Sequence, residues 1–132
     1  MASIFSKIMN REIPAYIISE NDEFIAFLDV NPNTKGHTLV IPKIEVDYIF
    51  DLEIKQYAKL FEFAQVIAKA LKRATLCEKV GMAVVGLEVP HAHIHLIPMQ
   101  SAADFNFNKS KLKLEEKEFE EIQQKIIAEL KN

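Results

Sequence analysis

The sequence predicts a single α+β domain over residues 1–132, in which an antiparallel sheet of about five strands carries one long helix on a face and a further helix at the C-terminus. The first observation behind this prediction is the order of the elements, β-β-β-α-β-β-α. A doubly wound parallel sheet would instead require regular alternation of strand and helix. The second is the length of 132 residues without repeat or linker, which suits one domain with a buried core.

The strands are predicted from short stretches rich in β-branched and aromatic residues, separated by turn-forming residues. A polar turn at residues 20–23 joins the first two stretches, which makes a hairpin their simplest pairing, and Pro42 stops the third. The five strands are predicted at residues 16–19, 24–28, 37–41, 80–85 and 92–99.

The helices are predicted from apolar residues that recur at spacings of three and four, with charged residues between them. A long amphipathic helix is expected at residues 52–75, with Asp51 as its N-terminal cap. The C-terminal helix is expected at residues 114–131, and its glutamate-rich start suits the partial positive charge of a helix N-terminus. A short helical turn near residues 4–8 precedes the first strand.

Composition and charge exclude several classes of function. The net charge of −3 gives no basic surface for nucleic acid. The apolar stretches are too short to cross a membrane, and residues 1–7 lack the apolar core of a signal peptide. The single Cys77 excludes an intrachain disulfide and a cysteine-based zinc site. We therefore expect a cytoplasmic protein that binds neither nucleic acid nor a membrane.

Three of the four histidines occupy alternate positions at and directly before the start of the last predicted strand, within the stretch VPHAHIHLIP. Because successive side chains of a strand point to opposite faces, His91, His93 and His95 are expected on one face. The apolar residues between them are expected to pack under the long helix. Neighbours on one strand face lie about 7 Å apart, so the three imidazoles can contact successive groups of one extended anion.

The residues alone leave three interpretations of this histidine face open. The imidazoles could share a zinc ion, with Glu88 as the one nearby acidic residue. One imidazole could instead attack phosphorus or carbonyl carbon, provided that its other ring nitrogen donates to a fixed acceptor. The histidines could also be surface residues without a role, although three in register above an apolar face argue against this.

The fourth histidine lies in GHTLVIPK at residues 36–43, and this motif together with the triad resembles the histidine-triad (HIT) family. The family signature is His-x-His-x-His followed by two apolar residues, with x apolar. Residues 4–15 and 27–32 are also similar to the family's opening segment and to its next strand and loop. We therefore take residues 3–99 as the domain core and about 100–132 as a C-terminal helical extension.

The resemblance implies a homodimeric nucleotide hydrolase or transferase. HIT enzymes cleave at the α-phosphate of nucleoside phosphoramidates, aminoacyl adenylates or dinucleoside polyphosphates, through a covalent nucleotidyl-histidine intermediate. The expected partner of this chain is therefore an AMP- or GMP-containing nucleotide. Two alternatives remain: a non-catalytic nucleotide-binding HIT protein, and a metal-dependent hydrolase that uses the triad as ligands.

The same resemblance implies roles for individual residues. His93 matches the family's nucleophile, and His91 and His95 match the histidines on either side of it. His37 matches the histidine that completes the phosphate site. Asp29 matches the residue that binds the ribose hydroxyls, whose protons a carboxylate can accept. The residues that match the lining of the base pocket are Ile4, Phe5, Ile8, Phe27 and Val30.

Two departures from the family pattern bear on the chemistry. Many bacterial members hold a structural zinc ion with a Cys-x-x-Cys pair, where this chain has Ser3 and Ser6, and Glu45 replaces a histidine often found there. Because a serine hydroxyl is a poor zinc ligand, we expect neither a bound metal nor another cofactor. Leu87 and Glu88 stand in place of a polar pair, which makes them a possible leaving-group region.

Overall fold

The computed structural model describes residues 3–131, so that residues 1, 2 and 132 of the predicted domain lie outside the described part. Within that part the chain forms five strands and three α-helices, with one 3-10 turn before the second helix and another after the last strand. The elements are α1 (Ile4–Met9), β1 (Ile17–Glu20), β2 (Phe24–Leu28), β3 (Thr38–Pro42), a 3-10 turn (Ile49–Asp51), α2 (Ile54–Thr75), β4 (Lys79–Ala83), β5 (Ile94–Met99), a 3-10 turn (Ala102–Phe105) and α3 (Glu116–Leu130).

The strands form one antiparallel sheet in the spatial order β1-β2-β3-β5-β4. The first three strands pair in sequence order, and α2 then carries the chain across the sheet so that β4 lies at the far edge. Helix α2 packs on one face of the sheet, and α3 packs against α2 and β1. The predicted α+β fold, with a five-stranded antiparallel sheet and one long packed helix, is confirmed.

The main core lies between the sheet and α2, where apolar side chains from both are removed from water. Side chains with 1% or less of their surface exposed include Val40 and Ile94 of the sheet and Leu60, Ile67 and Leu71 of α2. Burial of one such aliphatic side chain stabilises the fold by roughly 1.5–3 kcal/mol. This core therefore fixes β3 and β5, the two strands at whose starts the histidines lie.

The C-terminal helix α3 covers the remaining side of the main core. Its buried residues Phe119, Ile122 and Ile126 recur at the predicted spacing, and Phe119 stacks on Tyr16 with ring centroids 4.9 Å apart. No helix within residues 3–131 has the length and hydropathy needed to cross a lipid bilayer.

A second, smaller core lies on the opposite face of the sheet, beneath α1. Phe5 and Ile8 of α1 pack there against Phe27, Leu39 and Ile41 of the sheet. The ring centroids of Phe5 and Phe27 are 5.6 Å apart in an edge-to-face arrangement, which aromatic pairs favour. This cluster fixes the short N-terminal helix against the central strands.

The start of the long helix was predicted wrongly. Residues Ile49–Asp51 close a 3-10 turn, and Leu52 and Glu53 then adopt extended backbone, so the α-helix begins at Ile54. Asp51 is therefore not the cap. Glu53 occupies the capping position, and its side chain makes no capping hydrogen bond.

The two strands after the long helix are shorter than predicted, for a reason that lies in strand pairing. Continuing the register of β3 and β5 places Pro42 opposite Ala92, and proline has no N–H to donate. The Ala92 N–H donates instead to Val46 O at 2.7 Å, and β5 begins at Ile94 rather than at residue 92. Strand β4 ends at Ala83, opposite His95, and cannot pair as far as residue 85, because the partner of residue 85 would be His93, which precedes β5. The first three strands agree with the prediction to within one residue.

Candidate active site

The four histidines gather where the start of β5 lies beside β3. His37 directly precedes β3, and His95 lies opposite Leu39 in the ladder between β3 and β5. The ring centroids of His93 and His95 are 4.8 Å apart, and those of His37 and His95 are 5.2 Å apart. The predicted alternation is confirmed for the apolar residues that alternate with the triad histidines, because these pack in the main core: Ala92, Ile94 and Leu96.

The protonation of His93 is set by a backbone carbonyl. Its Nδ1 lies 2.8 Å from the carbonyl oxygen of His91. A carbonyl oxygen only accepts, so Nδ1 carries the proton of the neutral ring and Nε2 keeps its lone pair. Burial lowers the pKa of His93 below its usual value of 6.5, and the Phe5 ring packs at a centroid distance of 4.9 Å. At neutral pH this histidine therefore presents an unprotonated ring nitrogen.

His37 and His95 form a second hydrogen-bonded chain. The Asn33 N–H donates to His37 Nδ1 at 3.0 Å, so the neutral His37 ring carries its proton on Nε2. That Nε2–H donates to His95 Nδ1 at 3.0 Å. His95 must then carry its own proton on Nε2. The result is a fixed N–H donor beside the lone pair of His93.

The rings of His37 and His95 are both neutral at physiological pH. Burial, together with the neighbouring imidazoles and Lys111, lowers the pKa of His37 to about 3 and that of His95 to about 4. Asp29 Oδ2 lies 3.7 Å from His37 Nε2, but this contact is not an ion pair because His37 is uncharged. Burial raises the pKa of Asp29, whose Oδ1 accepts from the Asn31 N–H at 2.8 Å.

His91 is fully buried, and both of its ring nitrogens are used. Its Nε2–H donates to Pro42 O at 2.8 Å, so in the neutral ring Nδ1 accepts from the Ser3 hydroxyl at 3.0 Å. Ser3 also caps α1 by accepting from the Ser6 N–H at 3.1 Å, and its own N–H donates to Glu45 Oε1 at 2.9 Å. The three residues that replace zinc-binding positions thus meet around His91 through hydrogen bonds.

This arrangement, which we call the Ser3 clasp, consists of Ser3, Ser6, Glu45 and His91. It ties the N-terminus of α1 to the residue whose carbonyl oxygen orients His93. Through this carbonyl, the clasp links the short N-terminal helix to the protonation of the His93 ring.

The ring nitrogens of the triad do not converge on one point as metal ligands would. Within residues 3–131, the one set of three or more candidate ligands whose atoms lie within 4.8 Å of one another is Asp29, His37 and His95. His37 could bind an ion through Nε2 only if Nδ1 carried the proton, and Nδ1 already faces the Asn33 N–H. The donor set in this protonation state therefore does not fit a metal ion.

The residues matched to the base pocket fall into two groups. Phe5, Ile8 and Phe27 are buried in the second core, and Phe5 also contacts His93. Ile4 and Val30 are about half exposed, with 50% and 56% of their surface open to solvent. The structure thus places the buried apolar side chain of Phe5 directly against His93 and leaves Ile4 and Val30 open to solvent.

Leu87 and Glu88 lie in the exposed connection between β4 and β5. Leu87 has 90% of its surface exposed. This connection leads directly into the triad, so the two residues are near it in sequence, and their contact with a leaving group stays a prediction.

Sequence reasoning missed three residues that the fold brings to the histidines. Asn33 is fully buried and donates to His37, the Phe107 ring packs on His95 at a centroid distance of 4.9 Å, and Lys111 Nζ donates to Asn33 Oδ1. A signal for Asn33 was its position four residues before His37. Nothing in the run around Lys111 distinguishes it from the other lysines of the C-terminal extension.

These features define a class of protein: an α+β domain that gathers four histidines where two neighbouring strands of its sheet, β3 and β5, begin. Residues 10–102 match the family model of the HIT domain. The chain therefore belongs to the HIT family, as the resemblance of its two histidine motifs implied.

Individual relatives agree with this assignment. An uncharacterized HIT-like protein of Borreliella burgdorferi is 37% identical over 131 residues, which cover 93% of this chain and 94% of the relative. A purine nucleoside phosphoramidase of Escherichia coli K12 is 33% identical over 72% of this chain and 85% of its own. The crystal structure of a Hit-like protein from Bartonella henselae superposes with a TM-score of 0.84 at 30% identity, covering 96% of this chain and 95% of that one.

The Ser3 clasp leads to a prediction about stability. Ser3→Ala removes the cap of α1 and the hydroxyl that satisfies buried His91 Nδ1, so we expect a loss of about 1–2 kcal/mol in the free energy of unfolding. Urea denaturation measures this, and Ser3→Thr, which keeps the hydroxyl, should retain most of the wild-type stability. As a control, Ser110→Ala in an exposed position should change the free energy by less than about 0.5 kcal/mol. A Ser3→Ala protein as stable as the wild type would contradict the clasp.

Proposed function

We propose that this chain cleaves a purine nucleotide at its α-phosphate through a nucleotidyl-His93 intermediate. The observation that carries the proposal is the hydrogen bond from His93 Nδ1 to the carbonyl oxygen of His91, which leaves Nε2 unprotonated. A neutral imidazole with a free lone pair is the form that attacks phosphorus. The relatives named as phosphoramidases support the same chemistry.

The reaction proceeds in two displacements at phosphorus. With a nucleoside phosphoramidate, His93 Nε2 forms a bond to the α-phosphorus while the P–N bond to the leaving amine breaks, and the amine takes a proton from solvent. Water then attacks the phosphorus, the bond to His93 breaks, and its electron pair returns to Nε2. One proton of the attacking water stays on the phosphate and the other passes to solvent, and a nucleoside monophosphate is released.

His95 stabilises the charge that develops on the phosphoryl oxygens. Its Nε2–H is a fixed donor because His37 holds the other ring nitrogen. Donors that are oriented before the reaction lower the barrier without reorganisation, and the neutral ring needs no proton exchange to act. The low pKa values of His37 and His95 keep this arrangement intact through the neutral range.

The rest of the nucleotide is assigned to residues around this centre. Asp29 accepts the ribose hydroxyl protons, and the apolar residues of α1 and β2 accommodate the base. Glu88 and Leu87 face the leaving group, where the carboxylate favours a cationic amine over an anionic phosphate chain. A phosphoramidate or an aminoacyl group is therefore the favoured substituent.

Trapping the intermediate tests the reaction. A nucleoside phosphoramidate with radioactive phosphorus should leave an acid-sensitive label on His93 of the wild type. His93→Ala should carry no label, and its kcat should be lower by about a thousandfold or more. His93→Gly should recover turnover when free imidazole is added, because the added ring replaces the missing nucleophile.

Two results would argue otherwise. If the wild type carries no label and His93→Ala turns over substrate as fast as the wild type, His93 is not the nucleophile. Binding of AMP or GMP without hydrolysis of phosphoramidates, aminoacyl adenylates or dinucleoside polyphosphates would identify a non-catalytic nucleotide-binding protein.

We further propose that the chain works as a cytoplasmic homodimer. Strand β4 lies at an open edge of the sheet, where unpaired backbone groups invite pairing with another strand. Apolar side chains are exposed on and just after this strand and on α2, including Met82, Val84, Val85 and Val66. Exposed apolar side chains beside an open sheet edge are common at protein interfaces.

Sedimentation equilibrium at micromolar concentration should give the mass of a dimer. Met82→Glu combined with Val66→Glu should shift the protein to the monomer, because the new carboxylates would be buried without partners. A wild-type monomer under these conditions would contradict the proposal.

A further inference from the structure

The chain returns to the histidines after β5. The Phe107 ring meets the His95 ring at an interplanar angle of 67° and a centroid distance of 4.9 Å. Asn33 Nδ2 donates to the carbonyl oxygens of Asp104 and Asn106, at 3.2 and 3.3 Å. The segment from Asp104 to Leu112, which we call the return segment, is thereby fixed to the loop that carries His37.

The return segment places one ammonium group beside the site. Lys111 Nζ donates to Asn33 Oδ1 and to Phe107 O, the latter at 3.1 Å, and lies 5.3 Å from the centroid of the Phe107 ring. An ammonium has three donors, so these two acceptors leave one donor for a ligand. The charge is close enough to lower the pKa of His37 and of His95.

Within residues 3–131 Lys111 makes no ion pair, whereas Lys109 of the same segment pairs with Asp104 at 3.6 Å. Lys111 is not remote from negative charge, however: burial raises the pKa of the Asp29 carboxyl, and the Lys111 charge acts on that carboxyl in the opposite direction. Lys113 is exposed to solvent, but Lys111 is half-buried. A half-buried ammonium with a spare donor beside two neutral imidazoles suits an anion, because the Asp29 carboxylate lies beyond ion-pair distance and a bound phosphate would bring a countercharge into direct contact.

We propose that Lys111 is a phosphate-binding residue of the nucleotide site, and that the return segment is therefore part of that site. The inference rests on the proposed function and adds to it the side chain that supplies positive charge to the nucleotide phosphate, which an uncharged nucleoside lacks. Lys111 donates to a phosphoryl oxygen on the side of His95, while Phe107 keeps the ammonium and the imidazole in fixed relation.

A structural role for Lys111 makes a different prediction. Lys111 holds Asn33, and Asn33 holds His37, so a purely structural lysine would support the whole pocket. Its loss would then weaken the binding of a nucleoside as much as that of a nucleotide. A phosphate-binding lysine affects the nucleotide alone.

Calorimetric titration of AMP, GMP, adenosine and guanosine separates the two roles. Lys111→Gln keeps an amide donor for Asn33 Oδ1 but removes the charge, and it should weaken the binding of AMP or GMP by about tenfold or more. The affinity for the matching nucleoside should not change. Lys111→Arg should keep most of the affinity for the nucleotide, and Lys113→Gln, the matched control from the exposed position, should bind as the wild type does.

Three outcomes would overturn the assignment: an unchanged nucleotide affinity in Lys111→Gln, an equal loss for nucleotide and nucleoside, or a wild type that binds neither AMP nor GMP. Failure of the proposed catalysis gives a different pattern. A wild type that binds AMP but forms no adduct and turns over no substrate would disprove the hydrolase activity. The comparison of AMP with adenosine in Lys111→Gln would still decide the role of Lys111.

Discussion

The chemistry of this site depends on one hydrogen bond, from His93 Nδ1 to the carbonyl oxygen of His91. It fixes which nitrogen of His93 is free, and a nucleophilic histidine requires that choice to be fixed. The carbonyl is itself held in place, because the His91 ring is tied to Pro42 on one side and to Ser3 on the other. The hydrogen bond of His93 thus depends on the contacts that the His91 side chain makes with Ser3, the cap of α1, and with Pro42 of β3.

The same principle extends to the histidines that would receive the phosphate. The Asn33 N–H selects the acceptor nitrogen of His37, and His37 selects that of His95, so each ring is determined by the one before it. Burial keeps these rings uncharged, and the half-buried ammonium of Lys111 opposes their protonation further. In the proposed site the positive charge for an anionic ligand would come from Lys111, while the imidazoles would supply a lone pair and a directed N–H.

Periodicity predicted most of the fold because the main core depends on local patterns, period two in the strands and three to four in α2. It failed at element ends, which depend on partners: β5 starts late because Pro42 offers no N–H opposite Ala92, and Asp51 joins a turn that the pattern did not indicate. The histidine motifs predicted which imidazoles the fold brings together, and their role as the centre of a nucleotide site stays a prediction. They could not identify Lys111, since its contact with Asn33 spans 78 residues and no sequence period records it.

The most direct test of this account is the protonation state of each histidine ring, read from side-chain nitrogen-15 NMR spectra. We predict a proton on Nδ1 of His93, and on Nε2 of His37, His91 and His95. From neutral pH to about pH 5 the spectra of His37 and His95 should not change, because their pKa values lie well below the usual range of about 6.5. A proton on Nε2 of His93, or a His95 ring that titrates near pH 6.5, would contradict the account.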